Sequence, residues 1–89
     1  NDEFVLACSA DFARRLLDHC GSDDEDVARY SFLLALGRPP QSVELEAAVR
    51  FLQSQTERRR SRGESEPHPS AVTDYCQSLF GLNEFIYVD

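Results

Sequence analysis

The chain contains no lysine and no methionine. All nine of its basic residues are arginine, against 16 acidic ones, and the formal net charge is −7. That balance excludes a protein that works by neutralising a nucleic-acid backbone, and it disfavours an anionic membrane surface for the same reason. The arginine-only usage reads first as codon or lineage bias. Its physical consequence is that every strong cation is a planar fork suited to bidentate contact with carboxylates. No apolar run approaches the roughly 18 residues of a membrane-spanning helix, and no basic-then-apolar leader opens the sequence. Methionine is missing even from position 1, so the chain is expected to be a piece of a larger protein, with activity residing elsewhere in it.

Motifs that carry chemistry are also missing. There is no glycine-rich phosphate loop, no G-x-S-x-G elbow, no H-E-x-x-H and no C-x-x-C-H. A cysteine or serine nucleophile needs a histidine base in reach. Cys20 follows His19 directly, but adjacent residues on a helix point in different directions. Cys8 and Cys20 fall on one predicted helix, about 18 Å apart at 1.5 Å per residue, too far for a disulfide. Cys76 has room to meet only one of them. The spacings match no zinc pattern, and the reading is three buried free thiols. Sixteen acidic residues always allow some carboxylate pair, yet nothing singles one out.

The residues present describe an all-α protein. Eighty-nine residues make one domain at most, and 42% are hydrophobic. Residues 3–20 read as a first helix, with Val5, Cys8, Phe12 and Leu16 at helical spacing and Gly21 beyond its end. Ser22 to Asp26, SDDED, supplies a cap and an acidic first turn for a second helix over 24–36. As a metal site that run lacks the spaced oxygens and the glycine of a calcium loop. The second half of this helix is almost wholly apolar, which predicts the most buried helix. Gly37 ends it, and Pro39 and Pro40 cannot continue it. A third helix starts near Gln41 or Ser42 and runs to about Arg59, with Leu45, Ala48, Val49 and Leu52 on one face.

From Arg58 to Ser70 the composition changes abruptly, to RRRSRGESEPHPS. The arginines read as a solvated helix end, residues 61–69 as an exposed mobile loop, and His68 as a loop histidine with no partner in view. A fourth helix is predicted over 70–80, carrying Val72, Tyr75, Cys76 and Leu79. The last segment, LNEFIYVD, is too apolar to stay loose. Asn83, Glu84, Phe85 and Tyr87 are expected to form a tail packed back on the bundle. The expected architecture is therefore a compact bundle of four helices with a short aromatic tail, spanning 1–89 as a single domain.

One stretch stands out as a candidate site, LALGRPPQSVELEAAVRFL. Its hinge residues are Gly37, Arg38, Pro39, Pro40 and Glu44. Arg38 sits at a helix C-terminus, where carbonyls lack partners and a cation is favoured. It is expected to tie the corner to those carbonyls, or to Glu44, Glu84 or Asp89. The other reading is a charge presented for function.

The order FARRLL, ALGRPP with EL soon after, and SLFGLNEFIYVD resembles a planctomycete domain of unknown function, over about residues 3–89. The resemblance departs from that pattern at two places. The family has Thr or Ser and then Pro-Glu-Glu-Leu after the double proline, where this chain has Gln41, Ser42, Val43 and Glu44 before Leu45. It also has LLNSNEFLYVD near the end, where this chain has Phe80, Gly81 and Leu82. The resemblance implies the C-terminal domain of a large exported protein, extracytoplasmic, whose other end carries a planctomycete-type cytochrome c domain. A weaker similarity in layout, LGR-x-P then a helix, links it to phycobilisome linker domains, which are assembly modules. The sequence thus favours a non-catalytic structural or interaction module over an enzyme. It calls for no catalytic residue, metal or cofactor in this domain, and for partners among the parent's other domains or another protein. The alternative is part of an enzyme or redox assembly whose active site or haem lies in the missing domains.

Overall fold

The computed structural model describes the backbone of residues 2–80 and the side chains of residues 8–80. The expected tail, with Asn83, Glu84, Phe85 and Tyr87, lies outside the described residues. Among the described residues there are four helices: α1 Asp2–Cys20, α2 Asp24–Leu36, α3 Ser42–Ser61 and α4 Pro67–Phe80. The protein is an all-α four-helix bundle. α4 packs against α1 and α3, and α2 closes the opposite side against the same two.

Each boundary has a local cause. Asp23 caps α2 from an extended conformation, its Oδ1 accepting from the Asp26 N–H at 3.2 Å. Asp24, Glu25 and Asp26 then occupy the first turn, at the positive end of the helix. Gly37 ends α2 in the left-handed region (φ 71°), where its N–H reaches Leu33 O at 3.0 Å. A Cβ at Gly37 would meet nothing within 4 Å, so glycine is needed there for the backbone angle rather than for space.

α4 begins at Pro67, earlier than the predicted start near residue 70, and Ser61 still belongs to α3. The connection is therefore residues 62–66, shorter than the 61–69 expected. Pro67 and Pro69 lie inside α4 without breaking it. The first intrahelical bond of α4 runs from Ser70 N to Glu66 O at 3.2 Å. Pro67 and Pro69 precede it, at positions whose N–H would have no partner within the helix.

The core is built on Leu16, Val27, Leu52, Val72 and Cys76, all fully buried. Ala13, Ala28, Phe32, Ala48, Tyr75 and Leu79 fill in around them. Truncating Leu16 or Leu52 to alanine would cost about 2–5 kcal/mol, as for large-to-small changes in a packed interior. α4, not α2, is the most thoroughly buried helix, through Ala71, Val72, Tyr75, Cys76 and Leu79. α2 buries only the stripe Val27, Ala28, Ser31 and Phe32, and leaves Leu33 55% and Leu34 37% exposed. Four consecutive apolar residues on a helix cover every direction, and among the described residues α2 packs on α1 and α3. The thiols are free, but only Cys76 is buried outright; Cys8 and Cys20 are half-buried.

One polar contact crosses the core from α2 to α4. Ser31 Oγ donates to Ala28 O at 2.8 Å, which leaves the Tyr75 hydroxyl to donate to Ser31 Oγ at 2.7 Å. Burial pushes the Tyr75 phenol up to about 12, the Ser31 contact opposing it only in part. The asymmetry of this pair predicts unequal mutants. Tyr75→Phe removes a donor and leaves Ser31 bonded to Ala28, costing about 1 kcal/mol; Ser31→Ala strands a buried hydroxyl and costs roughly 1–3 kcal/mol. Urea denaturation of both variants against the parent chain measures that order, and a larger loss for Tyr75→Phe would show that the direction of donation is reversed.

Candidate functional site at the corner between α2 and α3

The corner contains the five residues singled out as a hinge, Gly37, Arg38, Pro39, Pro40 and Glu44. Gly37 turns the chain out of α2, and Pro39 and Pro40 hold it extended until Gln41, the residue before α3. Glu44 lies three residues further on, in the first turn of α3. Its Oε1 accepts from the Gln41 N–H at 2.8 Å, so one carboxylate satisfies an orphan donor at the helix start. The serine or threonine usual before such a turn is absent, and the glutamate does the work from the other side.

Arg38 faces the same carboxylate. Its Nη1 donates to Glu44 Oε1 at 2.8 Å and its Nη2 to Oε2 at 3.0 Å, a two-pronged contact. Nη1 also reaches Pro39 O at 3.2 Å. The guanidinium carbon stands 5.4 Å from the centroid of the buried Phe32 ring. One side chain of α2's exit is thereby held by α3's first turn, by the intervening loop and by an aromatic face. Of the acids considered for Arg38, Glu44 is a partner; Glu84 and Asp89 lie outside the described residues. The Arg38 hydrogen bonds, then the Gln41 N–H, hold the Glu44 carboxyl down to about 2.

A second arginine clamp lies at the other end of α3. Arg59 Nε and Nη2 donate to Asp74 Oδ2 and Oδ1 at 2.7 and 2.9 Å, and Nη1 donates to Glu64 Oε1 at 2.7 Å. Gln55 adds a third bond to Asp74 at 2.9 Å. Burial alone would raise the Asp74 carboxyl, but the bonds from Arg59 and Gln55 outweigh it and hold it below its ordinary value. The solvated reading of the arginine run fits Arg58 and Arg60, which are exposed, but not Arg59. The signal was in the periodicity: Arg59 continues the stripe Leu45, Ala48, Leu52 by one more heptad.

His68 also has a partner. Its Nε2 donates to Asp24 Oδ1 at 2.8 Å, joining the first turn of α4 to the first residue of α2. His19 stacks on Tyr30 with ring centroids 4.0 Å apart and planes 9° off parallel. Beside that stack the Cys20 thiol is pushed up by burial and by Asp26 and Asp23, the opposite of what an activated nucleophile needs. Burial alone carries the Cys76 thiol to about 12. Among the described residues no group of three or more His, Cys, Asp or Glu is placed to hold a metal ion, and no helix is long and apolar enough to cross a membrane.

Open grooves flank α2. One, of about 340 Å³, is lined by His19, Cys20, Asp26, Arg29, Tyr30 and Leu33. Another, of about 390 Å³, runs between α1 and α2 past Phe12 and Leu34. Comparison of the chain with protein-family models, curated proteins and solved structures finds no match.

The Arg38–Glu44 contact makes a pH-dependent prediction. Glu44 has its pKa lowered by folding, from 4.5 to about 2, so its stabilising share is present above pH 4.5 and is lost as pH falls through that window. Arg38→Ala is expected to lower the melting temperature at pH 7 by a few degrees, on the order of 5 °C for a domain of this size. The gap between the two proteins should narrow steadily below pH 4.5. Calorimetry across pH 2–7 measures it, and a gap independent of pH would show that Arg38 acts through Phe32 and Pro39 O rather than through Glu44.

Proposed function

We infer that this chain is a non-catalytic helical packing module of a larger exported protein, and that it docks against another domain of that protein. The observation that carries the reading is the apolar surface flanking the corner. Leu33 is 55% and Val43 69% exposed, on either side of a turn held by the Arg38–Glu44 contact. Large apolar side chains on a rigid turn offer contact area without the entropy cost of ordering a loop. The charged groups that distinguish the sequence support the same reading. Arg38, Arg59, Glu44, Asp74, Asp24 and His68 are engaged with one another between helices rather than converging on a cleft.

The likeness of ALGRPP and SLFGLNEFIYVD to the planctomycete domain supports the context: a C-terminal position, an extracytoplasmic location and a cytochrome c domain in the same protein. A redox assembly is the second reading. It is favoured by the net charge of −7, which complements a basic haem domain.

Replacing Leu33 and Val43 together by serine separates the two. Both side chains are largely exposed, so stability should stay within about 0.5 kcal/mol of the parent chain. Association with the parent protein lacking this domain, followed by titration calorimetry, should weaken about tenfold or more, the effect of losing two apolar contacts. Undiminished binding that collapses with added salt would reject the packing module and support the redox assembly.

A further inference from the structure

The groove between the end of α1 and the start of α2 combines an aromatic face with a carboxylate that nothing neutralises. The His19 ring lies flat on Tyr30, with His19 exposed and Tyr30 half-buried. The outer face of the imidazole is therefore open to solvent. Leu33, 55% exposed, follows Tyr30 by three residues on the same side of α2 and lines the same groove.

Asp26 supplies the charge. Its backbone N–H is bonded to Asp23, but its carboxylate has no hydrogen-bond or ion-pair partner among the described residues. The cation already in the groove does not serve it, because Arg29 is held by Glu25 at 2.9 Å. Two further features make the place negative. α1 ends here, and the last carbonyls of a helix lack partners within it. The Cys20 thiol, also in the groove, is pushed up by burial and then by Asp26 and Asp23, so the field of those acids reaches the groove wall.

A flat aromatic face, an apolar wall and an unmatched carboxylate fit an arginine side chain. A guanidinium stacks on an aromatic plane and donates to a carboxylate as a planar fork, while its methylene stem covers apolar surface. A lysine ammonium is a strongly hydrated point charge and does neither. A second copy of the chain is a poor source of that arginine, since two molecules of net charge −7 repel.

We propose that this groove is an arginine socket: it receives an arginine of the docked domain, with the guanidinium laid on His19 and forked to Asp26 and the stem against Leu33. The assignment rests on the docking reading above and adds the chemistry of the partner, an exposed arginine next to an apolar residue.

Peptides test the socket without the partner domain. Heteronuclear NMR follows the 89-residue chain during titration with acetyl-Leu-Arg-Leu-amide, and with the same peptide carrying lysine or citrulline in place of arginine. The arginine peptide should shift the His19, Tyr30 and Leu33 resonances and bind about tenfold more tightly than either analogue. Asp26→Asn should weaken it about tenfold. Asp18→Asn removes the same charge from a different groove, against α4, and should leave binding within about twofold. Equal affinity for the three peptides, or an Asp26→Asn chain that binds as the parent does, would overturn the proposal. Association with the parent protein lacking this domain keeps the two readings apart. Arginine-selective peptide binding without that association would support the socket and reject the docking. Association that survives Asp26→Asn but is lost on replacing Leu33 and Val43 by serine would reject the socket and keep the docking.

Discussion

Val72, Tyr75, Cys76 and Leu79 form a continuous buried stripe along α4, and the bundle is organised around it. α1 and α3 pack on α4 from two sides, with Leu16 of α1 and Leu52 of α3 among the fully buried side chains that meet it in the core. α2 packs against α1 and α3 from across the bundle, shares the buried core with α4, and is tied to α4 by two polar contacts as well: the Tyr75–Ser31 hydrogen bond in the core and the His68–Asp24 bond at the edge. The burial of α4 supplies the driving force, and the two hydrogen bonds set how far α2 sits from it. Hydrophobic burial is non-directional, so a bundle held by it alone tolerates sliding. A buried hydroxyl pair does not, because a shift strands both groups away from water.

The arginines carry a second layer of order. A chain without lysine brings only planar forks to its carboxylates, and two of them join separate elements. Arg38 ties the exit of α2 to the first turn of α3, and Arg59 ties the end of α3 to α4 and to Glu64 in the loop between them. Both are half-buried pairs with two-pronged geometry, a stronger class of contact than the exposed pairs Arg14–Asp11, Arg29–Glu25 and Arg60–Glu57. The corner at Gly37 to Gln41 is therefore a stiff joint.

Much of this was legible from the residues in order. Gly21, Gly37 and the Pro39–Pro40 pair mark the first three helices because capping and chain-breaking act within a few residues. Glu44 was one of several acids open to Arg38, and the short separation along the chain makes it a natural partner. The start of α4 at Pro67, earlier than its composition suggests, has an equally local reason. Proline breaks a helix interior but fits its first turn, and which applies depends on where the first hydrogen bond closes, here from Ser70 to Glu66. Arg59 was hidden inside a run of like residues although its position on the Leu45–Leu52 stripe set it apart.

The sequence by itself determined the all-α class, the positions of the turns and the apolar stripes, since each depends on steric and hydrogen-bonding rules that span one or two helical turns. Only the tertiary structure decided which helix is central, which half of α2 stays exposed and which polar groups meet. His68 and Asp24 are 44 residues apart, as are Tyr75 and Ser31. Contacts of that separation follow from how four amphipathic helices are arranged around one another, and stripes of similar width fit more than one arrangement. The balance of burial and hydrogen bonding across the whole bundle selects one, and with it the corner and the groove that give this domain its surfaces.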